Sequence, residues 1–274
     1  MRRANPEVSF QPPTERLYLD EAVARDCRRF HGSHYWHFGP ARQRLDLHQV
    51  PLALLEHHER ALPSVRLSTD AEPQRLPREL PAPSALARDR SAQRFAVKGV
   101  ELPTLAALLH HTTGNDEQGR RPHASAGALY PVELVVCANA TADGRLPSGV
   151  YHYLPATGAL ECIRQHPAPV ELVVEPEQVP IIGTPAVALL FVMNLARATF
   201  KYRRRGYRHA LFEAGLMAQQ ADLVGKSLGL RSRLWSGFDD HKALRDARLN
   251  PVTFLPCMAQ LFGYAAQSGE GGAR

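Results

Sequence analysis

Residues 200–230, FKYRRRGYRHALFEAGLMAQQADLVGKSLGL, carry the longest helical pattern in the chain. Within 205–228, small and apolar residues recur at the spacing of one helix face: Ala210, Leu211, Ala214, Met217, Ala218, Ala221 and Val224. Gly229 follows the last of them, where a helix commonly ends. The pattern predicts a long helix with one side packed on a core.

Apolar segments on both sides of this helix predict the sheet on which it packs. Strands are expected at 131–138, 149–154, 159–164, 186–194, 231–235 and 254–262. The segment 186–194 (AVALLFVMN) is almost continuously apolar, as in a central strand covered on both faces. Further helices are expected at 15–30, 51–62 and 103–113, and a short one near Asp239 and Asp240. We therefore expect an α+β fold, with helices packed on a mixed sheet.

The chain divides by composition. Five prolines between residues 62 and 84 predict an irregular connector, so we expect an N-terminal extension (1–84) for dimer or partner contacts. The main domain is expected at 85–266, and a disordered tail at 267–274.

No run of about 18 apolar residues and no signal-peptide core is present, which predicts a soluble, cytoplasmic protein without membrane contact. The four cysteines lie far apart, as expected for reduced thiols.

The 274 residues include 33 Lys and Arg against 27 Asp and Glu, a formal charge of +6. This excess suits a polyanion, a phosphate-bearing cofactor or an acidic peptide, but no nucleic-acid motif accompanies it, so no nucleic-acid partner is expected. His31, His34 and His37 form the only suggestive metal pattern. Steps of three do not converge on one point of a helix, so we expect no metal site.

Three segments carry candidate chemistry. In the first, RRPHASAGALYP at 120–131, small residues allow a flat ligand to approach the backbone, and Ser125 can bond its polar edge. A plain surface loop is the alternative. The second, FKYRRRGYR at 200–208, offers Lys201 as a base near neutral pH and Tyr202 as a proton donor or relay. A solvated basic helix start is its alternative, although cations there oppose the helix dipole.

The third segment is WSGFDD at 235–240, a strand ending in a turn of small residues. Backbone donors at such a turn suit a ring carbonyl or ring nitrogen, and a simple strand-to-helix connection is the alternative.

The three segments occur in this order, with GVYHYLPATGALE between the first two. With this arrangement the chain closely resembles the SagB/McbC-type flavin dehydrogenases of the nitroreductase superfamily. The resemblance covers roughly residues 85–264 and is greatest to the microcin B-type thiazole/oxazole synthetase dehydrogenases, chiefly through FKYRxRGYR and the turn after Trp235. The VPLALLE segment at 50–56 also looks similar, so the extension is expected to belong to the same family.

The resemblance implies an FMN-dependent homodimer of nitroreductase-like fold, with the flavin at the dimer interface. Such enzymes oxidise thiazolines and oxazolines to thiazoles and oxazoles on a ribosomally made precursor peptide, after a partner cyclodehydratase has formed the rings. Lys201 and Tyr202 match the family's catalytic pair. The resemblance implies flavin contacts for the matching positions Ser91, Ser125, Gly127, Ala128, Leu129, Ser236 and Gly237.

Two departures from the family pattern affect these expectations. Ala124 stands where a proline usually precedes the serine of the flavin loop. Asp89 and Gln93 fall where the usual phosphate motif has basic residues, so phosphate contacts by Arg90, Arg94 or Arg121 are hypotheses. Two other functions stay open: a generic NAD(P)H-dependent nitroreductase, and a mainly structural subunit of a peptide-modifying complex.

Overall fold

The computed structural model describes residues 19–33 and 86–266. Apart from residues 86 and 87, these belong to one compact unit. The helices are α1 Glu21–Gly32, α2 Leu102–Thr113, α3 Val179–Ile182, α4 Leu195–Tyr202, α5 Arg204–Ser227 and α6 Asp240–Asp246. The strands are β1 Val132–Ala138, β2 Gly149–Leu154, β3 Ala159–Gln165, β4 Val187–Asn194, β5 Arg231–Trp235 and β6 Phe254–Gly263.

The six strands form one sheet in the order β3-β2-β1-β4-β6-β5, in which every neighbouring pair is antiparallel. The α+β fold is confirmed, but the sheet is antiparallel rather than mixed. Within the described residues, the one parallel pairing is an isolated bridge between Phe95 and Gly183. Hairpin pairing of β1, β2 and β3, which follow one another along the chain, accounts for much of this arrangement.

Both faces of the sheet are covered, and the central strand β4 is buried along its whole length. Alternate residues of β4 enter two different clusters: Leu189 and Phe191 pack with the α1, α2 and α5 side, and Leu190 and Val192 with the α6 side. This two-sided burial explains why β4 is continuously apolar in sequence. The predicted stripe on α5 forms much of the first cluster.

The main difference from prediction lies between β4 and α5. A separate helix, α4, follows β4 without an intervening loop, capped by Asn194, whose side-chain oxygen accepts from the Arg197 N–H at 3.1 Å. Helix α1 begins at Glu21 rather than at residue 15, because the Asp20 carboxylate caps it by accepting from the Val23 N–H. The predicted helix at 51–62, the proline-rich connector, the 267–274 tail, His34 and His37 lie outside the described residues.

None of the described helices combines the length and apolarity needed to cross a membrane. All four cysteines carry unpaired thiols, as predicted.

Candidate active site

A tight turn at residues 125–130, here called the glycine loop, leads into β1. Its backbone has positive φ angles at Gly127 (63°), Ala128 (53°) and Tyr130 (45°). The Ala128 N–H donates to the Ser125 carbonyl at 3.1 Å, and the Tyr130 N–H donates to Ser125 Oγ at 2.9 Å. A left-handed conformation is costly for residues with a Cβ and persists only where the surroundings enforce it. The loop is therefore held in a strained shape, as at many functional sites.

Lys201 and Tyr202 lie directly against this loop. A Cβ added at Gly127 would stand 2.8 Å from Tyr202 Oη and 3.3 Å from Lys201 Nζ. Lys201 is exposed and Tyr202 half-buried, and Lys201 Nζ lies 5.3 Å from the centre of the Tyr202 ring. The structure therefore brings together the first two predicted segments, and a side chain at position 127 would displace the ends of Lys201 and Tyr202.

The junction of α4 and α5 positions the pair. Lys201 and Tyr202 end α4, and Arg203, with φ of 54°, separates this helix from α5. Gly206 then packs on the Ala198 carbonyl, where an added Cβ would lie only 1.8 Å from the oxygen. The alternative interpretation, a solvated basic start of the long helix, is thus wrong for Lys201 and Tyr202, which belong to the last turn of a separate helix.

The arginines after this pair reach helix α1. Arg203 forms an ion pair with Asp20 at 2.6 Å, and Arg204 pairs with Asp26. Two of the cations that the sequence places around Lys201 therefore have carboxylate partners. These ion pairs also join α1 to the α4–α5 junction.

Glu213, which the sequence reasoning missed, lies behind the glycine loop. Its side chain projects from α5 into the core and is only 2% exposed. It lines the same narrow crevice as Tyr202, His209 and Leu129. Burial raises the pKa of Glu213 to about 7, against the opposing effects of a Ser125 hydrogen bond and the Arg121 charge. An acidic residue inside the apolar stripe of the long helix is the sequence signal that would have found it.

A second, partly buried network holds the end of the loop. Arg197 Nη1 donates to the Tyr130 carbonyl at 3.1 Å and to a Glu133 carboxylate oxygen at 2.7 Å, while His152 Nε2 lies 3.1 Å from the other Glu133 oxygen. Burial alone would raise the pKa of Glu133, but the His152 hydrogen bond and the Arg197 charge lower it overall. Burial opposes protonation of His152, but its two glutamate partners, Glu133 and Glu161, raise its pKa.

The start of the first segment is also fixed. His123 is buried, and its Nε2 lies 3.1 Å from Thr113 Oγ1 at the end of α2. Burial lowers the pKa of His123 to about 4, so the ring is neutral at physiological pH. The Arg121 guanidinium lies 4.7 Å from the centre of the Tyr130 ring.

Ser91 lies in a different environment, in a segment beside the edge strand β5. The hydroxyl of Ser91 accepts from Arg88 at 3.0 Å, and the next residue, Ala92, donates its N–H to the Ser232 carbonyl at 2.8 Å. Ion pairs surround it: Arg88 with Asp222, and both Arg231 and Lys226 with Asp89. We call Arg88, Asp89, Ser91, Lys226 and Arg231 the β5 cluster.

The remaining predicted contacts are Arg94 and the turn that follows β5. Arg94 is exposed and donates to the Pro180 carbonyl. Ser236 and Gly237 follow the end of β5, where Gln178 Nε2 donates to the Gly237 carbonyl at 2.9 Å. Ser91 and Ser236 therefore flank opposite ends of a five-residue strand.

The described residues contain no group of three His, Cys, Asp or Glu side chains suited to a metal ion. His31 instead bonds Tyr207 Oη at 2.9 Å and the Pro256 carbonyl at 2.8 Å.

The chemistry of these residues fits a flavin. The glycine loop exposes backbone at Gly127 and Ala128, and the β5 cluster has more cations than anions. Within the described part of the chain, Arg121 Nε and His209 Nδ1 are buried without a hydrogen-bond partner. Unpartnered polar atoms of this kind suit the edge of a polar planar ring, and the cations of the β5 cluster suit an anionic phosphate.

Comparisons with known proteins identify several similar chains. The chain is 35% identical over 169 residues to the microcin B17-processing protein McbC of Escherichia coli, an alignment covering 60% of this chain and 62% of McbC. A nitroreductase-type protein of Methanocaldococcus jannaschii is 29% identical, over 65% of this chain and 90% of that protein. A chain in the structure of the E. coli microcin synthetase McbBCD complex with truncated pro-MccB17 bound matches with a TM-score of 0.77 and 29% identity, over 93% of this chain and 97% of that chain.

Residues 86–264 also match the Nitroreductase family. The matched region is more than half of the chain and includes the glycine loop, the Lys201–Tyr202 pair and the β5 cluster. This chain therefore belongs to the nitroreductase family.

Proposed function

We propose that this protein is an FMN-dependent dehydrogenase that oxidises thiazolines and oxazolines to thiazoles and oxazoles on a ribosomally made precursor peptide. The observation that carries the proposal is the contact of the Lys201–Tyr202 pair with Gly127 of the glycine loop. It occurs in a chain that matches a component of the peptide-bound McbBCD complex over nearly its whole length. Members of the nitroreductase family generally bind flavin, and FMN is the form proposed here.

Aromatisation of an azoline ring requires loss of a hydride and a proton from adjacent ring atoms. The flavin supplies the acceptor for the hydride when it is bound. In this proposal Lys201 accepts the proton at Nζ, and Tyr202 Oη orients the ring or relays that proton. Lys201 is exposed, so a ring carried on a peptide can reach it without entering a closed cavity.

The proposed FMN contacts divide into two groups. Backbone of the glycine loop, including Ser125, Gly127, Ala128 and Leu129, lies beside the catalytic pair and would face the isoalloxazine ring. Ser91 and Arg94 would hold the phosphate among the cations of the β5 cluster, and Ser236 and Gly237 would contact the ring edge. Arg121 is the weakest phosphate candidate, because its charge already acts on Glu133 and Glu213.

We further propose that the protein works as a homodimer with cyclodehydratase subunits, and that the extension at 1–84 contributes to these contacts. Large apolar side chains on the outer face of α5, Phe212 at 62% and Leu216 at 47% exposure, would be covered in a dimer. The ion pairs of Asp20 and Asp26 with Arg203 and Arg204 would let the extension stabilise the end of α4. Light scattering on the purified protein would give twice the chain mass.

The decisive test replaces Lys201 with alanine. We expect Lys201→Ala to keep bound flavin and to lose azole formation, measured as the loss of two hydrogens per ring by mass spectrometry of a cyclised peptide. Lys98→Ala is the matched control, because Lys98 is exposed and lies over the Tyr264 ring. Full ring oxidation by the Lys201 variant would refute the proposed role of Lys201. Absence of flavin binding by the wild-type protein, even after FMN is added, would refute the dehydrogenase function.

A generic NAD(P)H-dependent nitroreductase is the second candidate, favoured by the match to the archaeal nitroreductase-type protein over 90% of its length. Oxidation of NADPH in the presence of a nitroaromatic, without ring oxidation on a cyclised peptide, would establish this alternative.

A further inference from the structure

Glu213 is an unusual residue for the centre of a long helix. It lies between Ala210 and Ala214 on the face of α5 that packs against the sheet, where its neighbours in sequence are apolar. Burying a carboxyl group is costly unless its oxygens are hydrogen-bonded. An apolar residue of similar size would serve packing alone at least as well, so packing does not explain the acid.

The partners of Glu213 all belong to the segment that contains the glycine loop. The Ser125 hydroxyl donates to the Glu213 carboxylate, and the Val132 N–H makes a long hydrogen bond of 3.5 Å to Glu213 Oε1. Ser125 Oγ in turn accepts from the Tyr130 N–H at 2.9 Å. The three groups form a directed chain from Tyr130 through Ser125 to Glu213.

This chain connects the two ends of the loop. Tyr130 is one of its positive-φ residues, and Ser125 precedes the 3₁₀ turn that carries Gly127. When Glu213 is ionised, its carboxylate can only accept hydrogen bonds, so it then fixes the direction of the Ser125 hydroxyl proton and leaves an Oγ lone pair for the Tyr130 N–H.

We propose that Glu213 is a positioning residue that holds the glycine loop, through Ser125, against Lys201 and Tyr202. The effect on turnover rests on the proposed dehydrogenase function, whereas the effect on loop geometry does not. Charged and titratable groups around Glu213 are Arg121 before the loop, Glu133 on β1, His209 on α5 and Tyr202 on α4. Of these, Arg121 favours the carboxylate and Glu133 opposes it.

The test is a double-mutant cycle on the cofactor-free full chain. Amide hydrogen exchange is measured on a peptide spanning 124–131 for wild type, Ser125→Ala, Glu213→Leu and the double variant. Leucine fills a similar volume without an acceptor. We expect each single variant to raise exchange about tenfold, and the double variant to raise it no further, because both remove one connected chain.

Glu213→Gln supplies the rescue control. Its amide oxygen still accepts from Ser125, so we expect exchange within about threefold of wild type, and this variant replaces Glu213→Leu in the cycle if the latter does not fold. Unchanged exchange in Glu213→Leu, or additive effects of about a hundredfold in the double variant, would overturn the positioning role.

FMN affinity, measured by flavin fluorescence, is the second readout. We expect each single variant to raise the dissociation constant of FMN about tenfold, and the double variant to raise it no further. If the wild-type protein binds no FMN, the proposed function is contradicted, and the hydrogen-exchange cycle still decides the role of Glu213. If the wild-type protein forms azoles normally but the exchange effects are additive, only the positioning role of Glu213 is contradicted.

Discussion

The glycine loop and the β5 cluster are two parts of the candidate site with opposite construction. The loop is fixed by buried groups, with Glu213 and His123 behind it and Gly127 in contact with Tyr202 and Lys201. The β5 cluster consists of partly exposed polar and charged side chains gathered around the start of an edge strand. Buried contacts fix distances, which proton transfer requires, whereas long cationic side chains supply charge and adapt their position. Substitutions in the loop region should therefore have larger effects than those in the cluster.

The largest effect is expected at the helix junction that supports the loop region. Gly206→Ala would place a Cβ 1.8 Å from the Ala198 carbonyl oxygen and push α4 away from α5. We expect the free energy of unfolding to fall by about 3 kcal/mol or more, measured by urea titration. Gly215→Ala is the control in the same helix, where an added Cβ meets nothing within 4 Å. Because alanine favours helix, this control should gain about 0.5–1 kcal/mol, and equal losses in both variants would contradict the close-packed junction.

Gly127→Ala tests the contact between the loop and the catalytic pair. Its Cβ would displace Tyr202 Oη and Lys201 Nζ, and we expect ring oxidation to slow about a hundredfold, or about 2.7 kcal/mol in the activation barrier. Gly158→Ala is matched in backbone, since φ is 64° there against 63° at Gly127, but its Cβ meets nothing within 4 Å. Both variants should lose about 1 kcal/mol of stability from left-handed strain, and only Gly127→Ala should lose rate.

The pH dependence of stability tests whether the loop region contains its buried acid. The pKa of Glu213 is raised to about 7 in the folded protein from an ordinary value of 4.5. The unfolded chain therefore releases this proton first, and stability from the protonated form is present below about 4.5 and lost as pH rises through 7. Glu213→Gln does not titrate, so its stability relative to wild type should rise by about 2 kcal/mol between pH 5 and pH 7. A constant difference between the two urea titrations would contradict the raised pKa.

The pKa shift of His123 makes stability depend on pH in the opposite direction, which provides a second check in the same region. Its pKa is lowered to about 4, so its contribution is present above the ordinary value of 6.5 and lost as pH falls through 4. In wild type the two groups partly cancel over this range, which is why the comparison needs the Glu213→Gln variant rather than the wild-type curve alone.

The sequence predicts most of the fold because its elements carry local periodic patterns. Each of the six strands lies within about two residues of its predicted bounds, and the stripe on α5 faces the core as expected. Helix α4 was missed because Asn194 caps it directly at the end of an apolar strand, without a turn residue between. Glu213 was missed because its partner Ser125 is distant in sequence, and only the packing of α5 on β1 brings them together. The roles of the predicted site residues stay predictions.

The smallest effect is expected in the β5 cluster. Ser91 is exposed and is one of several polar groups near the proposed phosphate position, so its hydroxyl contributes a single hydrogen bond. We expect Ser91→Ala to weaken FMN binding about tenfold, or about 1.4 kcal/mol, by fluorescence titration, with hydrogen exchange of residues 124–131 unchanged. Ser148→Ala is the control, because the Ser148 hydroxyl donates to the Pro167 carbonyl at 3.3 Å and lies in the connection between β1 and β2. A rise in hydrogen exchange of residues 124–131 in Ser91→Ala as large as the one expected for Glu213→Leu would show that the β5 cluster also fixes the glycine loop, and the contrast between the two regions would then fail.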